Sequence, residues 1–147
     1  MKQLLVALLV SVLALGCSDE RTVDQQIIAT LESMEIAAED GQHLDFMGYV
    51  AESFSGQQGS MERRDFHRFM LFQMNQNRRL EARFFPIEVQ AQSESSASAA
   101  FNMLITGGSG LLPERGQLFE VKTSWVKQGS DWLLVEANWQ AVRLHQE

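Results

Sequence analysis

The side chains of this sequence that could act directly on a substrate are few: three histidines, one tyrosine and one cysteine. His67 lies at the margin of an apolar helical stripe, where a neutral imidazole could serve as a general base. The alternative is a boundary histidine that bonds to the backbone or to water. Tyr49 could offer its hydroxyl to the same substrate, or pack in the core with its tip at the surface. His43, His67 and His145 show no metal-ligand spacing, so we predict no metal site.

Cys17 is the single cysteine, and it follows an apolar run typical of secretory signals. Lys2 supplies a positive charge, residues 4–15 are uncharged, and Ala14-Leu15-Gly16 provides a small-residue cleavage pattern. The run is shorter than the roughly 20 apolar residues needed to span a bilayer. Cys17 can form no internal disulfide, and an exported free thiol would be exposed to oxidation.

The sequence Leu13-Ala14-Leu15-Gly16-Cys17 resembles the lipobox of bacterial lipoproteins, whose cysteine is lipidated and becomes the new N-terminus. The alternative is an ordinary signal ending in Ala-x-Gly, with Cys17 free. The resemblance implies a signal peptide at 1–16, lipidation of Cys17 and, because Ser18 and not Asp follows, an outer-membrane location. Residues 17–21 then form a tether of at most about 17 Å, which keeps the domain close to its membrane.

The charge of the mature chain limits its partners. Without residues 1–16, which contain one lysine, 11 basic residues remain against 19 acidic ones, a net charge of −8. That acidity argues against nucleic acid and anionic lipid headgroups as partners. The remaining length suits one domain with its own core, which we place at 22–142, followed by a tail at 143–147.

The first part of this domain is predicted to be helical. Thr22-Val23-Asp24-Gln25 is a capping box, and the apolar residues that follow recur at helical spacing until Gly41. A short second helix is predicted over 44–51. A third helix is predicted from a cap at Ser60 to about Gln76.

The third helix carries an apolar stripe that includes one amide, at Gln73. Gln73 could orient a ligand, or it could be a buried amide satisfied by a neighbouring carbonyl. Leu71 and Phe72 lie off the stripe, which predicts burial on more than one side. The stripe consists of Phe66, Phe69, Met70, Gln73 and Asn77.

After Arg83 the apolar residues recur at every second position, as in strands with one apolar and one polar face. Four such segments are joined by turn sequences that include the Gly-rich stretch 107–116 and the tight turn 128–131. Helices first and strands after predict an α+β domain, with N-terminal helices packed on a mainly four-stranded antiparallel sheet. The positions predicted to face the helices are Ile87, Val89, Ala91, Ala99, Phe101, Met103, Ile105, Phe119, Val121, Thr123, Trp125, Leu133, Val135, Ala137 and Trp139.

The opposite face of the predicted sheet is largely polar. Glu88, Glu120 and Glu136 fall on it, so the helix-facing side has no titratable residue. Apolar residues interrupt this outer face, and an exposed apolar cluster marks an interface, so we predict a homodimer through the sheet. The interrupting residues are Leu104, Leu118, Val126, Trp132 and Leu134.

The order of these elements, with Tyr49-Val-Ala-Glu-Ser-Phe54 leading into a glycine loop and a closing Trp125-x6-Trp132 hairpin, resembles the nuclear transport factor 2-like superfamily. The resemblance covers about residues 22–142. It implies a curved sheet wrapped around helices to form a cone with an apolar pocket. The superfamily includes polyketide cyclases, ketosteroid isomerase, dehydratases and many non-catalytic binding modules, so this fold does not specify a function.

The cone would bring the candidate residues together in one pocket. Its pocket would be lined by Tyr49, Gln73, Trp125 and Trp139, although both tryptophans could equally be core. Enzymatic members place a carboxylate or histidine inside the cone, and the predicted sheet has neither. We therefore favour a non-catalytic module that binds a small apolar molecule or a protein partner and needs no cofactor. The alternative is an isomerase, dehydratase or hydrolase that uses His67 as base, with Tyr49 or Gln73 as polariser.

Overall fold

The computed structural model describes residues 21–76, 81–107 and 116–143. The predicted signal peptide, Cys17 and the tether up to residue 20 lie outside the described residues. So do Asn77 of the helical stripe, His145 and most of the glycine-rich stretch. In the described ranges, no helix has the length and apolar character needed to cross a membrane.

The first helix, α1, spans Val23–Glu39 and begins with the predicted capping box. The backbone N–H of Gln25 donates to Thr22 Oγ1 over 3.3 Å, and the backbone N–H of Thr22 donates to Gln25 Oε1 over 3.0 Å. The helix ends at Glu39, and Gly41 takes a φ of +69°, the left-handed conformation that glycine adopts at low cost. Both predicted ends of α1 are confirmed.

The second helix, α2, spans His43–Gly48 and is shorter than predicted. The chain turns into a strand from Val50 onward because its backbone finds partners elsewhere in the fold. The carbonyl of Tyr49 accepts a hydrogen bond from the backbone N–H of Leu134 over 2.8 Å. The guanidinium of Arg63 donates to the carbonyls of Val50 and Met47, which satisfies the end of α2.

The third helix, α3, spans Arg63–Gln76. Its predicted cap is wrong, because the hydroxyl of Ser60 donates to the carbonyl of Gln57 and closes a short 3₁₀ turn there. Phe72 is 57% exposed, so the predicted burial on more than one side is also wrong at that residue.

Six strands of the described residues form one curved, mixed sheet. The four predicted strands are present, and two strands that precede α3 extend the sheet beyond the last one. The order across the sheet is β2-β1-β6-β5-β4-β3, with β1 parallel to β6 and the other pairs antiparallel. The strands are β1 Val50–Gly56, β2 Met61–Glu62, β3 Glu81–Ala91, β4 Ser96–Thr106, β5 Gly116–Gln128 and β6 Asp131–Ala141.

The helices cover one face of this sheet, and the core lies between the two layers. Ile27 of α1 and Trp125 of β5 are the largest fully buried side chains. The register shifts in β3 between Phe85 and Glu88, and shifts again in β6. Such bulges bend the strands that contain them, which curves the sheet around the helices. The α+β prediction is thus confirmed.

The bulge in β6 reverses the orientation of the side chains that precede it. Ser124 pairs with Glu136, whereas Trp125 pairs with Leu134, so Val135 is an extra residue in its strand. One extra residue turns the neighbouring side chains to the opposite face.

The consequences reach both faces of β6. The prediction that Leu133 and Val135 face the helices is wrong, and Trp132 and Leu134, 3% and 4% exposed, are the buried residues instead. Both therefore drop out of the predicted outer patch. In β3, Ala91 is exposed and not inward-facing as predicted.

Candidate functional site

A cavity of about 310 Å³ lies between the concave face of the sheet and the helices. Its walls come from α1, α2, α3 and the strands β3 to β6, and the residues that contribute are almost entirely apolar. The lining consists of Leu31, Met34, Ala38, Phe46, Phe66, Phe69, Met70, Gln73, Met74, Ala82, Phe84, Phe101, Met103, Ile105, Gln117, Phe119, Val121, Thr123, Trp125, Leu134, Ala137 and Trp139.

Burial of the described lining residues distinguishes a closed, buried end of this cavity from an open, exposed end. At one end Trp125 pairs with Leu134, and these side chains are 1% and 4% exposed. At the other end Ile105 pairs with Gln117, which is exposed.

The closed end contains one hydroxyl, and that hydroxyl is fully used within the protein. The indole Nε1 of Trp125 donates to Thr123 Oγ1 over 2.8 Å. The Thr123 hydroxyl donates in turn to the carbonyl of Ala99 over 3.0 Å. These bonds hold the tryptophan ring in place and satisfy its buried N–H.

Two amides are the remaining polar side chains among the described lining residues. Gln73 is half-buried on α3 and lines the cavity. Gln117 lies at the open end, and its Nε2 donates to the carbonyl of Leu118 over 3.0 Å. A primary amide can donate and accept hydrogen bonds without carrying charge.

An aromatic wall lies on the side of the cavity nearest β1. Trp139 stacks on Phe69, with ring centroids 5.6 Å apart, and lies 5.9 Å from Phe66. Phe66 stacks in turn on Phe54 at 4.6 Å. Phe66 and Phe69, the residues that α3 contributes to this wall, belong to the apolar stripe predicted from the sequence.

Gln57 fixes the backbone of this wall, a role that the sequence did not indicate. Its side-chain amide donates to the carbonyl of Trp139 over 3.1 Å and accepts from the N–H of the same residue over 3.2 Å. Gln57 has a φ of +49°, which is unusual for a residue with a side chain. A glutamine between glycines gives no signal of a partner 82 residues away.

Of the candidate pocket residues, Trp125 and Trp139 line the cavity, whereas Tyr49 does not. Tyr49 lies in an open groove on the outside of the protein, between α1, α2 and the turn that joins β5 to β6. Its carbonyl bond to β6 fixes it on that side of the helix layer.

His67 also lies outside the cavity, which favours a boundary histidine over the alternative of a base inside the cone. It follows Phe66, which points inward, and the helical rotation of about 100° per residue carries it to the flank of α3. There its Nε2 is 3.0 Å from Nδ1 of His43. A base at this position cannot reach a molecule held by the aromatic wall.

No charged side chain occurs among the described residues that line the cavity. Arg83 lies between the lining residues Ala82 and Phe84. Its Nη1 is 2.7 Å from Glu35 Oε1 and 2.9 Å from Glu39 Oε1, both on half-buried carboxylates. The hydrogen bond that Arg83 donates to Glu35, followed by the negative charges of Glu39 and Glu35, raises the pKa of Arg83 above its usual value. Glu39 Oε1 also accepts from the N–H of Ala82 over 3.1 Å, which fixes the start of β3 beside the open end.

Comparison with known proteins gives similarity in structure only. No protein-family model and no curated protein matches the chain. A proposed dehydratase of the NTF2-like family from Streptomyces avermitilis superposes with a TM-score of 0.71 at 15% identity, over 82% of this chain and 96% of that one. An uncharacterised protein with a cystatin-like fold from Caulobacter vibrioides gives 0.66 at 12% identity, over 80% and 88%.

The Bdellovibrio bacteriovorus protein Bd1075 gives a TM-score of 0.69 at 8% identity, and the match covers 80% of this chain but only 41% of that one. Identities this low indicate a shared fold and not a shared activity. The chain has the nuclear transport factor 2-like, or cystatin-like, fold, as its sequence predicted.

Proposed function

We propose that this chain is a binding module that holds one small, mainly apolar molecule in its cavity without converting it. The observation that carries the proposal is the shape and chemistry of that cavity. Its volume of about 310 Å³ is near the lower limit of ligand pockets, about 300 to 1,000 Å³. Among the described lining residues, Trp125 is buried and Gln117 at the other end is exposed.

The lining also defines the class of ligand. Apolar and aromatic side chains favour a hydrophobic body, and the stacked pair Phe69 and Trp139 favours a flat or ring-containing one. Gln73 and Gln117 offer uncharged hydrogen-bonding groups. An ionised group would lose its hydration without gaining an opposite charge from these residues, so we expect the ligand to be neutral.

The same chemistry favours binding over catalysis. General acid–base catalysis requires a titratable group within hydrogen-bond reach of the reacting atom. The described lining residues contain amides and one hydroxyl, and that hydroxyl is engaged by Trp125 and Ala99. The described lining therefore offers no group for the dehydratase activity that the name of the Streptomyces protein indicates.

A cavity-filling substitution tests this proposal. Ala137 is 4% exposed and lines the cavity, so Ala137→Leu places three additional carbons inside it. Ala141→Leu is the matched control, because Ala141 lies on the same strand but is exposed. We expect the fluorescent probe N-phenyl-1-naphthylamine to bind the unmodified chain and the control equally, and the filled variant about 10-fold more weakly or worse.

Native mass spectrometry of residues 18–147 would detect any molecule retained from the cell. A reproducible extra mass that Ala137→Leu loses would identify the natural ligand class. Equal probe affinity in all three proteins, or no binding in any, would contradict the proposal and favour a surface that binds protein partners.

We further propose that the module is anchored in the bacterial envelope, most simply in the outer membrane, through lipid on Cys17. The support is the sequence alone: an apolar leader, a lipobox-like stretch and a single cysteine. A multiply acylated cysteine gives stable anchoring, whereas one acyl chain gives marginal binding.

Fractionation of expressing cells tests the anchor. We expect the wild-type chain in the membrane fraction, with a mass above that of residues 17–147 because of the attached lipid. Cys17→Ser should abolish the lipid-modified species. Release of the wild-type chain as a soluble protein with a free thiol would contradict this anchor while leaving the cavity proposal intact.

A further inference from the structure

A pair of histidines links α2 to α3 on the outside of the cavity. His43 is the first residue of α2, and His67 lies in the second turn of α3, 24 residues later in the sequence. His43 Nδ1 and His67 Nε2 are 3.0 Å apart, and the ring centroids are separated by 5.2 Å. Both residues are half-buried.

We propose that this pair binds a divalent late first-row metal ion, with Zn²⁺ as the representative ion. Neutral imidazole nitrogen is a good ligand for Zn²⁺, Cu²⁺ and Ni²⁺. Two nitrogens each about 2.0 to 2.1 Å from one ion lie about 2.9 Å apart at a right angle and about 3.4 Å apart at the tetrahedral angle. The observed separation of 3.0 Å lies within that interval. The ring centroids are 5.2 Å apart, so the two facing nitrogens point almost directly at each other. Each ring must therefore turn by about 40° to direct its lone pair at a shared ion.

The protons balance without an additional reactant. In the neutral, metal-free pair, one of the two facing nitrogens carries the hydrogen of the bond between them. When the ion takes that place, this hydrogen leaves the facing nitrogen and the far nitrogen of the same ring takes one up from water. The site then has His43 bound through Nδ1 with hydrogen on Nε2, and His67 bound through Nε2 with hydrogen on Nδ1.

The described part of the chain supplies no group of three or more metal-binding side chains. Water must therefore fill two of the four positions of a tetrahedral site, one more than in catalytic zinc sites, which have three protein ligands. The ion would join α2 and α3. Each of these helices also contributes a phenylalanine to the cavity lining, Phe46 and Phe66, and the two ring centroids are 6.1 Å apart. The proposal does not depend on the cavity holding a ligand.

Calorimetric titration of the full-length chain in detergent with Zn²⁺ tests the site. We expect one ion per chain at this pair, and ¹⁵N spectra in which His43 Nδ1 and His67 Nε2 shift on zinc addition. A pair that serves only to pack the helices would show no such shift. His43→Ala and His67→Ala should each weaken zinc binding by about 10-fold or more.

Two further variants separate metal binding from helix packing. His67→Gln retains a group that can hydrogen-bond to His43 but removes the imidazole ligand, so it should keep the zinc-free melting temperature and lose zinc affinity. His145→Ala removes a histidine outside the pair and should keep the affinity. The proposal is overturned if the unmodified chain binds no zinc, or if the affinity survives both His43→Ala and His67→Ala.

Discussion

At the scale of single residues, Thr123 determines how the closed end of the cavity is built. Its hydroxyl is the only side-chain oxygen among the buried core residues described, and it bonds both to Trp125 and to the neighbouring strand β4. A buried indole N–H without a partner would cost free energy. Thr123 therefore allows the indole of Trp125 to be buried, because an apolar residue in place of Thr123 would leave the indole N–H without an acceptor.

Replacing Thr123 with valine should destabilise the protein with little change in volume. The Nε1 hydrogen of Trp125 would lose its acceptor, so we expect Thr123→Val to lower the free energy of unfolding by about 1 to 3 kcal/mol in urea denaturation. Thr123→Ser retains the hydroxyl and should cost less. Ser124→Ala, on the opposite face of β5, should change the value by less than about 0.5 kcal/mol. Equal losses for the valine and serine variants would contradict this account.

At the scale of elements, the bulge in β6 decides which residues form the core. Val135 has no partner in β5, so Trp132 and Leu134 before it and Ala137 after it all point inward. A regular strand would place residues 132 and 137 on opposite faces. The bulge also curves the sheet at the position where the cavity is deepest.

Deleting Val135 should prevent cooperative folding, because the strand must then turn either Trp132 and Leu134 or Ala137 away from the core. We expect a loss of more than about 4 kcal/mol, seen as the absence of a sigmoidal urea transition in tryptophan fluorescence. Val135→Ala keeps the residue count and, at this half-buried position, should cost about 1 kcal/mol. A deletion variant with the same transition as Val135→Ala would refute the argument.

At the scale of the whole molecule, the outer face of the sheet is less continuous than the sequence predicted. Leu104 and Leu118 pair with each other across β4 and β5 and remain half-buried. Val126 lies eight residues further along β5, which is about 26 Å away. The outer apolar surface is therefore divided, and only the leucine pair remains as the centre of a predicted dimer interface.

We predict that the domain forms a homodimer through this leucine pair. Sedimentation of residues 18–147 at micromolar concentration should give the mass of two chains, and Leu118→Lys should shift it to one chain by burying an uncompensated charge. Lys122→Ala, on the same face of the same strand, is a control that should keep the dimer. A monomer in the unmodified protein would refute the prediction.

The sequence by itself determined the features that depend on nearby residues. The capping box of Thr22 and Gln25 links positions three apart, and the end of α1 follows from Gly41. The alternation in β4 and β5 identified Phe101, Val121 and Trp125 as inward-facing, and the α+β order followed from the change in period after Arg83. Each of these signals is complete within a few residues of the chain.

Only the tertiary structure decided the features that depend on partners far apart in sequence. The bulge at Val135 arises from pairing between β5 and β6, and the outward position of Tyr49 follows from its backbone bond to Leu134. His43 and His67 meet only because α2 and α3 pack together. Periodicity reports which face of an element is apolar, but it does not report where one residue is inserted or which two polar faces come into contact. Those outcomes are set by the packing of the whole chain.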